Sequence, residues 1–522
     1  MKKILYISII SWALTVPSAC NDFLDELPDN RTVVDSSDKI TKLLVSAYPK
    51  TNHNLVPELA SDNIADNGEL NPNYNEFYKQ ASYWEDIKES NNDGIDNIWE
   101  GCYEAIASSN QALQAIKELG EDGLGPQKGE ALITRAYAHF VLVNIFAKHF
   151  NKETSETDLG VVYMEEPETK LKPSYKRESV ASVYTKIERD IEEALPLIDD
   201  NLYGVAQYHF TKAAAYAFAA RFYLYSEQWE KAEKYATLAL GQTPKLRKWK
   251  EIGDLPKKEN IVTNAYIDNE ANLLTEVSTS LAGLVFGAFR IGARFNHTRF
   301  LNEGQTMLAS TPWNPNGTLS VEAYYFTPFV YSGNNLDKSL FYKIPYLFEY
   351  TDPVTQTGYP KTVSVIFSTD ETLLTRAEAR ILQKKYDEAI ADINLYTANI
   401  YKGNKTTTIE KVNEFYGGMP YSNSGGVNTV NQKKRLHPKF IIEEGGTQEN
   451  LIHYVLQCRR ILTLHEGLRW YDLKRYGIEV ERIVYDHLGE PSQVITLPAD
   501  DPRRAIQLPQ DVIKAGLEPN PR

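Results

Sequence analysis

The chain has 522 residues, of which 42% are apolar and 24% charged, so its composition excludes a disordered, collagenous or coiled-coil protein. Its 56 basic and 70 acidic residues give a net charge of −14, which argues against a nucleic-acid partner because phosphate binding needs a basic surface. Tyrosine is abundant, with 33 residues against 19 phenylalanines, and its apolar ring and polar hydroxyl suit surfaces that handle ligands.

The start of the chain has the pattern of a bacterial secretory signal. Two lysines are followed by a mostly apolar stretch over 4–19, and small residues directly precede Cys20. A cysteine in this place is typical of a lipoprotein, in which cleavage precedes the cysteine and the thiol is lipidated. An ordinary signal peptide with a cut nearby is the alternative. We therefore predict a signal peptide over 1–19, lipidation of Cys20, and an extended, acidic tether over 20–35.

Helical periodicity dominates the next part of the chain. Apolar residues at three- and four-residue spacing predict helices near 97–116, 132–150 and 183–198. The second stretch is apolar on most sides and should therefore be buried. The third is amphipathic, with Ser179 as its candidate N-cap and Pro196 at its expected end. Two cysteines in these and later helices, Cys102 and Cys458, lie at apolar positions and are expected to be buried free thiols.

Two segments have the pattern of tetratricopeptide repeats, 211–244 and 368–396. In the first, small, aromatic and proline residues occupy the expected places, namely Ala220, Trp229, Ala232, Ala239 and Pro244. The second matches through Ala377, Tyr386 and Ala389. Residues 245–365 between them are rich in Asn, Thr, Gly, Pro and aromatics, which predicts long loops and short strands. The predicted fold is therefore mainly α, a tetratricopeptide-like helical repeat scaffold with a large, irregular, loop-rich insertion.

Signatures of common catalytic and cofactor sites are missing from the sequence. It contains neither a GxxxxGK[ST] phosphate loop nor a GxSxG nucleophile elbow. The HEGLR segment at 465–469 has Arg469 where a zinc-binding HExxH motif needs its second histidine. We accordingly expect no catalytic residues, no metal and no cofactor.

Six segments resemble, in the same order, those of the SusD/RagB family, which comprises nutrient-capturing outer-membrane lipoproteins of Bacteroidetes. They are the start at 20–28, the W-x3-Y-x2-I-x3-N helix carrying Trp99, Tyr103, Ile106 and Asn110, the helix at 129–146, the helix at 178–198, the unit at 211–240, and the Glu-Gly-x-Arg-Trp-x-Asp-Leu-x-Arg-x-Gly signature at 466–477. The tail, IQLPQDVI followed by EPNP, is similar to the family's usual ending.

The resemblance implies a single SusD-like domain over 36–522. Its helical N-terminal part would span about 36–240, the loop-rich insertion about 245–365, and the C-terminal part about 366–522. Such a protein is expected to be lipid-anchored in the outer membrane and exposed at the cell surface. It would bind an oligosaccharide, less often a peptide, without cleaving it, and deliver it to a SusC-like TonB-dependent transporter.

The family signatures are structural, so ligand-contact residues must be sought in the loops. Sugar rings have apolar faces that flat aromatic side chains can cover, while polar groups at the rim bind hydroxyls. On this basis we predict ligand contacts for Tyr83 and Trp84, in the loop before the Trp99 helix, and for four residues of the insertion. These four are Arg290, Asn296, Trp313 and Tyr324. Plain packing, or contact with the transporter, is the alternative role for each of them.

Two other functions remain alternatives at this stage. One is a helical-repeat scaffold that binds only protein partners, and the other is an α-helical glycan-degrading enzyme. The 466–477 run mixes Glu, Arg, Trp and Asp, which suits an active site. We favour its interpretation as a buried ion-pair cluster, because Arg and Asp are retained inside proteins when they pair.

Overall fold

The computed structural model describes residues 34–169, 174–258, 260–287, 294–331, 337–422 and 431–522. The predicted signal peptide, Cys20 and Arg290 lie outside these described residues. Cys102 and Cys458 are buried free thiols, as predicted. Within the described ranges, no helix is both long and apolar enough to cross a bilayer.

The described residues are mainly helical, which confirms the predicted fold class. The helices up to the insertion are α1 Ser37–Leu44, α2 Leu55–Ala60, α3 Glu76–Ser82, α4 Ile95–Leu119, α5 Gly125–Phe146, α6 Val180–Ala194, α7 Lys212–Tyr225 and α8 Trp229–Leu240. The later helices are α9 Trp249–Asp254, α10 Ile261–Ile267, α11 Ala282–Phe286, α12 Arg299–Gln305, α13 Thr369–Leu382, α14 Tyr386–Ile400, α15 Ile409–Gly418, α16 Thr447–Leu462, α17 Leu468–Arg475 and α18 Gln510–Lys514. The strands are β1 Ala65–Asp66, β2 Asn272–Thr279, β3 Phe295–Asn296, β4 Phe329–Tyr331, β5 Lys338–Leu340, β6 Leu347–Asp352, β7 Thr357–Ser368, β8 Val480–Tyr485 and β9 Pro491–Leu497.

Local sequence explains where the principal helices begin and end. Ser179 caps α6 by accepting a hydrogen bond from the backbone N–H of Ser182, and α6 ends at Ala194, two residues before Pro196. Helix α4 ends at Leu119 and is capped by Gly120, whose φ of 96° is the left-handed conformation that glycine adopts without strain. Helix α5 is buried over most of its length, as its apolar sequence predicted.

The two tetratricopeptide-like units form helical hairpins that pack against each other, although they are far apart in sequence. Hairpin α7–α8 meets hairpin α13–α14 through α8 and α13. Across this contact Arg380 Nε donates to Glu233 Oε1 (3.0 Å), and Gln383 Nε2 donates to the carbonyl of Trp229 (3.2 Å). The chain therefore leaves the helical scaffold after α8 and returns to it at α13.

Between these two helices the chain builds short helices and a three-stranded antiparallel sheet in the order β2–β7–β6. Strand β7 is central, with Thr279 of β2 and Leu347 of β6 both lying opposite Lys361. Because β7 ends at Ser368 and α13 begins at Thr369, the sheet is joined directly to the helical scaffold. The β6–β7 hairpin projects beyond the part of the sheet that β2 covers.

The 466–477 run forms a buried ion-pair cluster, which confirms its structural interpretation. Arg469 donates from Nε and Nη2 to the two carboxylate oxygens of Asp62, at 2.8 and 2.9 Å. Arg475 donates to Glu378 Oε1 at 2.7 Å. Asp62 lies just after α2 and Glu378 lies in α13, so the cluster ties α17 to both the N-terminal and the C-terminal parts of the scaffold.

A buried carboxyl group beside this cluster should make stability depend on pH. Glu58 accepts hydrogen bonds from the backbone N–H groups of His465 (2.8 Å) and Gly467 (3.1 Å) and from Asn63 Nδ2 (3.1 Å). Burial raises the pKa of Glu58 to about 7, although these hydrogen bonds oppose the shift. Between pH 4.5 and 7 the folded protein therefore holds a proton that the unfolded chain releases. Its contribution to stability falls as pH rises through this window and is constant above it.

The substitution Glu58→Gln should accordingly flatten the dependence of stability on pH. Relative to this variant, the wild-type protein should lose about 2–3 kcal/mol of unfolding free energy between pH 5 and pH 8. Urea denaturation at pH 5, 6, 7 and 8 would measure both slopes, with Glu104→Gln on the exposed side of α4 as the control. Equal slopes for the wild type and Glu58→Gln would contradict the prediction.

Candidate ligand-contact surface

Tyr83 and Trp84 lie in the interior of the protein, just after α3. The Tyr83 hydroxyl donates to Asp66 Oδ2 (2.5 Å), and its ring packs edge-to-face on Phe295. Trp84 donates from Nε1 to the carbonyl of Ala60 (2.9 Å), and only 5% of the residue is exposed. Packing, the alternative considered for these two residues, accounts for both of them, and they present no face to a ligand in this structure.

Tyr324 and Asn296 are also inside the protein. Tyr324 is fully buried, donates from its hydroxyl to the carbonyl of Met307 (2.7 Å), and lies with that hydroxyl 3.0 Å from the Tyr401 hydroxyl. Asn296 is 1% exposed and belongs to β3, where it pairs with Ala65 of β1. Both positions are explained by the packing of the insertion against the scaffold.

Trp313 is partly buried and packs against the interior of the protein. Its ring packs edge-on against Tyr401, with centroids 4.7 Å apart, and Lys405 Nζ lies 5.5 Å from the ring centroid. The indole N–H has no hydrogen-bond partner among the described residues. Trp313 is therefore the one predicted contact among the described residues that is not fully buried. Arg290 falls outside the described residues.

A group of aromatic residues that the sequence analysis did not single out lies exposed on the β6–β7 hairpin. Phe348, Tyr350 and Tyr359 are 37%, 55% and 52% exposed, respectively. Neighbouring exposed aromatic side chains on a folded protein often mark a binding surface. We call the set Phe348, Glu349, Tyr350, Tyr359 and Lys361 the hairpin surface.

The strand register divides the hairpin surface between the two faces of the sheet. Glu349 lies directly opposite Tyr359, so both side chains share one face with Lys361. Lys361 Nζ lies 3.1 Å from Glu349 Oε2 and donates to Thr279 Oγ1 at 2.9 Å. This face therefore combines an exposed phenol ring with a carboxylate, an ammonium group and a hydroxyl.

The other face carries two rings in contact. Phe348 and Tyr350 meet edge-to-face with their centroids 4.9 Å apart. Gly358 lies opposite Tyr350, and a Cβ at this position would approach the carbonyl oxygen of Glu349 to 2.0 Å and the Phe348 ring to 2.9 Å. Glycine here thus lets the Phe348 ring lie close to the neighbouring strand.

The chemistry of the hairpin surface suits a ligand that has both apolar faces and hydroxyl groups. Exposed rings can cover apolar faces, and the charged groups of Glu349 and Lys361 can exchange hydrogen bonds with hydroxyls at the rim. A signal for the hairpin exists in the sequence, since Leu347 to Tyr350 and Thr357 to Tyr359 flank a turn that contains Asp-Pro. That signal predicts strands but not which of their aromatic residues face solvent.

Comparison with known proteins gives two family matches and many similar folds. The model of a SusD-like family described as "Starch-binding associating with outer membrane" matches residues 22–224, and that of the SusD family, SusD_RagB, matches residues 293–507. Comparison with curated proteins returned no significant match.

Three similar solved structures are distant in sequence from this chain. A SusD superfamily protein from Bacteroides thetaiotaomicron is 17% identical, with 94% of this chain and 100% of that chain covered and a TM-score of 0.61. A putative sugar-binding protein from Bacteroides vulgatus is 17% identical, with 94% and 99% covered and a TM-score of 0.62. A SusD-like carbohydrate-binding protein from the same species is 16% identical, with 89% of each chain covered and a TM-score of 0.57. At these identities the likeness establishes the fold.

Proposed function

Because the chain belongs to the SusD/RagB family, we propose that it is a cell-surface lipoprotein that captures an oligosaccharide and delivers it to a SusC-like TonB-dependent transporter. In this proposal Cys20 carries the lipid that anchors the protein in the outer membrane. The protein binds the glycan without cleaving it. The family description as starch-binding and the carbohydrate-binding neighbours support a sugar ligand.

The observation that carries the proposal is the hairpin surface. Its three exposed rings provide flat apolar area, Phe348 and Tyr350 on one face of the sheet and Tyr359 on the other. Glu349 and Lys361 provide hydrogen-bonding groups on the Tyr359 face. The net charge of −14 favours a neutral glycan over an acidic one. Arg294, which directly precedes β3, does not offset this charge, because it is held in a two-bond ion pair with Asp66 (2.6 and 2.7 Å).

Removing the exposed rings should weaken glycan binding while leaving the fold intact. We expect the double variant Tyr350→Ala/Tyr359→Ala to bind its glycan at least about tenfold more weakly, since aromatic anchors contribute most at binding surfaces. Calorimetry on a glycan identified from an array of neutral and acidic oligosaccharides would measure the change. Tyr208→Ala removes a tyrosine that is 43% exposed in the N-terminal helical part, and it should leave affinity unchanged.

The same assay separates the alternatives. Undiminished affinity in the double variant would show that the glycan binds outside the hairpin surface, for example at Trp313. Failure of the wild type to bind any glycan in the array would contradict a sugar ligand and favour a scaffold for protein partners. Release of new reducing ends from the glycan during incubation would favour the alternative that the protein is a glycan-degrading enzyme.

A further inference from the structure

Lys361 is the one basic residue in the sheet of β2, β7 and β6, all of whose residues the structure describes. It lies on the central strand, opposite Thr279 of β2 and Leu347 of β6. The face around it is accessible on both sides, since Tyr359 is 52% exposed and Val277, two residues from Thr279 on β2, is 44% exposed. An ammonium group on an accessible face can bind an anionic ligand.

The carboxylate of Glu349 compensates the charge of this ammonium group. Glu349 Oε2 lies 3.1 Å from Lys361 Nζ, and Nζ also donates to Thr279 Oγ1 at 2.9 Å. The Glu349 side chain is 61% exposed and that of Lys361 27% exposed. The carboxylate is therefore the more accessible member of the pair, and a ligand arriving from solvent encounters a negative charge beside a covered positive one.

The ion pair lies directly beside the exposed ring of Tyr359. Glu349 is opposite Tyr359 in the strand register, and Lys361 follows Tyr359 by two residues on the same face, a distance of about 7 Å along the strand. A sugar ring stacked on Tyr359 would therefore place its substituents within reach of both charged groups. Whether such a substituent is a hydroxyl or a carboxylate then decides how it interacts with Glu349.

We propose that Glu349 makes the hairpin surface select uncharged glycans over glycans that carry carboxylate groups. This inference rests on the proposed function, since it concerns the same surface and a sugar ligand. With Glu349 present, the charge of Lys361 is matched, and a ligand carboxylate is repelled by the more exposed member of the pair. Without Glu349, Lys361 would offer an uncompensated ammonium group to a uronic acid bound beside Tyr359.

A purely structural role for the ion pair is the alternative. Strands β6 and β7 are already joined by backbone pairing from Leu347 opposite Lys361 to Tyr350 opposite Gly358. Exposed ion pairs add little to stability, so Glu349→Gln should fold with an unchanged midpoint of urea denaturation. A pair that only joined the strands would leave the choice between neutral and acidic glycans unchanged in this variant.

Glu349→Gln tests the proposal because it retains the shape of the side chain and removes its charge. Calorimetry would compare two forms of one oligosaccharide, the neutral form that the wild type retains on the array and a form whose primary hydroxyls are oxidised to carboxylates. The wild type should bind the oxidised form at least about tenfold more weakly than the neutral form, and Glu349→Gln should reduce this ratio at least about tenfold. The reduction should disappear at about 1 M salt, which screens exposed charges.

Two further variants show whether the effect acts through Lys361. Glu349→Gln/Lys361→Gln removes the ammonium group as well, and it should lose the gain in affinity for the oxidised form. Glu270→Gln makes the same change of charge in an exposed ion pair with Lys248, 2.9 Å apart with side chains 49% and 52% exposed, and it should keep the wild-type ratio.

The outcomes separate this inference from the proposed function. An unchanged ratio in Glu349→Gln, or an equal reduction in Glu270→Gln, would overturn the role of Glu349 while the wild type still binds the neutral glycan. A gain that persists in Glu349→Gln/Lys361→Gln would also overturn it. A wild type that binds no glycan on the array would instead overturn the sugar ligand itself, and this inference with it.

Discussion

Asp62→Asn should lower the free energy of unfolding by about 3–5 kcal/mol, because it leaves buried cations without their counter-charge. The Asp62 carboxylate receives both hydrogen bonds of Arg469, and it lies 3.5 Å from Arg460 and 3.8 Å from Lys434. Burial acts to raise the pKa of Asp62, but the Arg460 and Arg469 guanidinium groups hold it well below its usual range. Asparagine has nearly the same shape, so the expected loss measures the charge rather than a cavity.

Urea denaturation followed by circular dichroism at pH 7 would measure this effect. The control is Asp38→Asn, which breaks an ion pair with Lys42 whose side chains are both 74% exposed. That change should stay within about 0.5 kcal/mol, since solvent screens exposed pairs. A loss below about 1 kcal/mol for Asp62→Asn would show that the ion-pair cluster does not hold α17 to the N-terminal part.

Trp84→Ala should destabilise the protein by about 3–5 kcal/mol through loss of a large buried ring. The ring is covered by the Arg482 guanidinium, 5.3 Å from its centroid, and the indole N–H bonds to Ala60. Arg482 in turn donates to the carbonyls of Leu59 and Ser61, so the ring supports the turn that leads into β1. Urea denaturation should therefore show a large loss of unfolding free energy for Trp84→Ala and a small loss for Tyr359→Ala, which alters an exposed residue.

The same pair of variants distinguishes packing from ligand contact. If Trp84 packs the interior, glycan affinity per folded molecule should be unchanged in Trp84→Ala and reduced in Tyr359→Ala. A Trp84→Ala protein that is as stable as the wild type but binds glycan poorly would restore Trp84 as a ligand-contact residue.

Several elements of the fold were predictable because their signals are local. The spacing that predicted a helix over 183–198 gave α6, with Ser179 at its cap, and the repeat pattern located α7–α8 and α13–α14. The cluster of charges at 466–477 was recognisable as structural, since a buried Arg needs a carboxylate partner. Its partners Asp62 and Glu378, far away in sequence, were not predictable.

Local sequence signals did not predict which aromatic residues of the candidate site are exposed. Trp84 and Tyr350 both lie in aromatic-rich sequence, yet one is 5% and the other 55% exposed. The difference arises because Trp84 meets Ala60 and Arg482, whereas Tyr350 lies on β6, which pairs with β7 alone among the described strands. The residues adjacent in sequence to Trp84 and Tyr350 do not indicate which distant segments cover either side chain.

Composition, the cysteine after small residues and six ordered motifs were enough to predict the helical class and the family, because each depends on residue type or on spacing within one element. Exposure of a single side chain depends instead on which distant segments cover it. The packing of the chain therefore moved the candidate ligand contacts from Tyr83, Trp84 and Tyr324 to the hairpin surface.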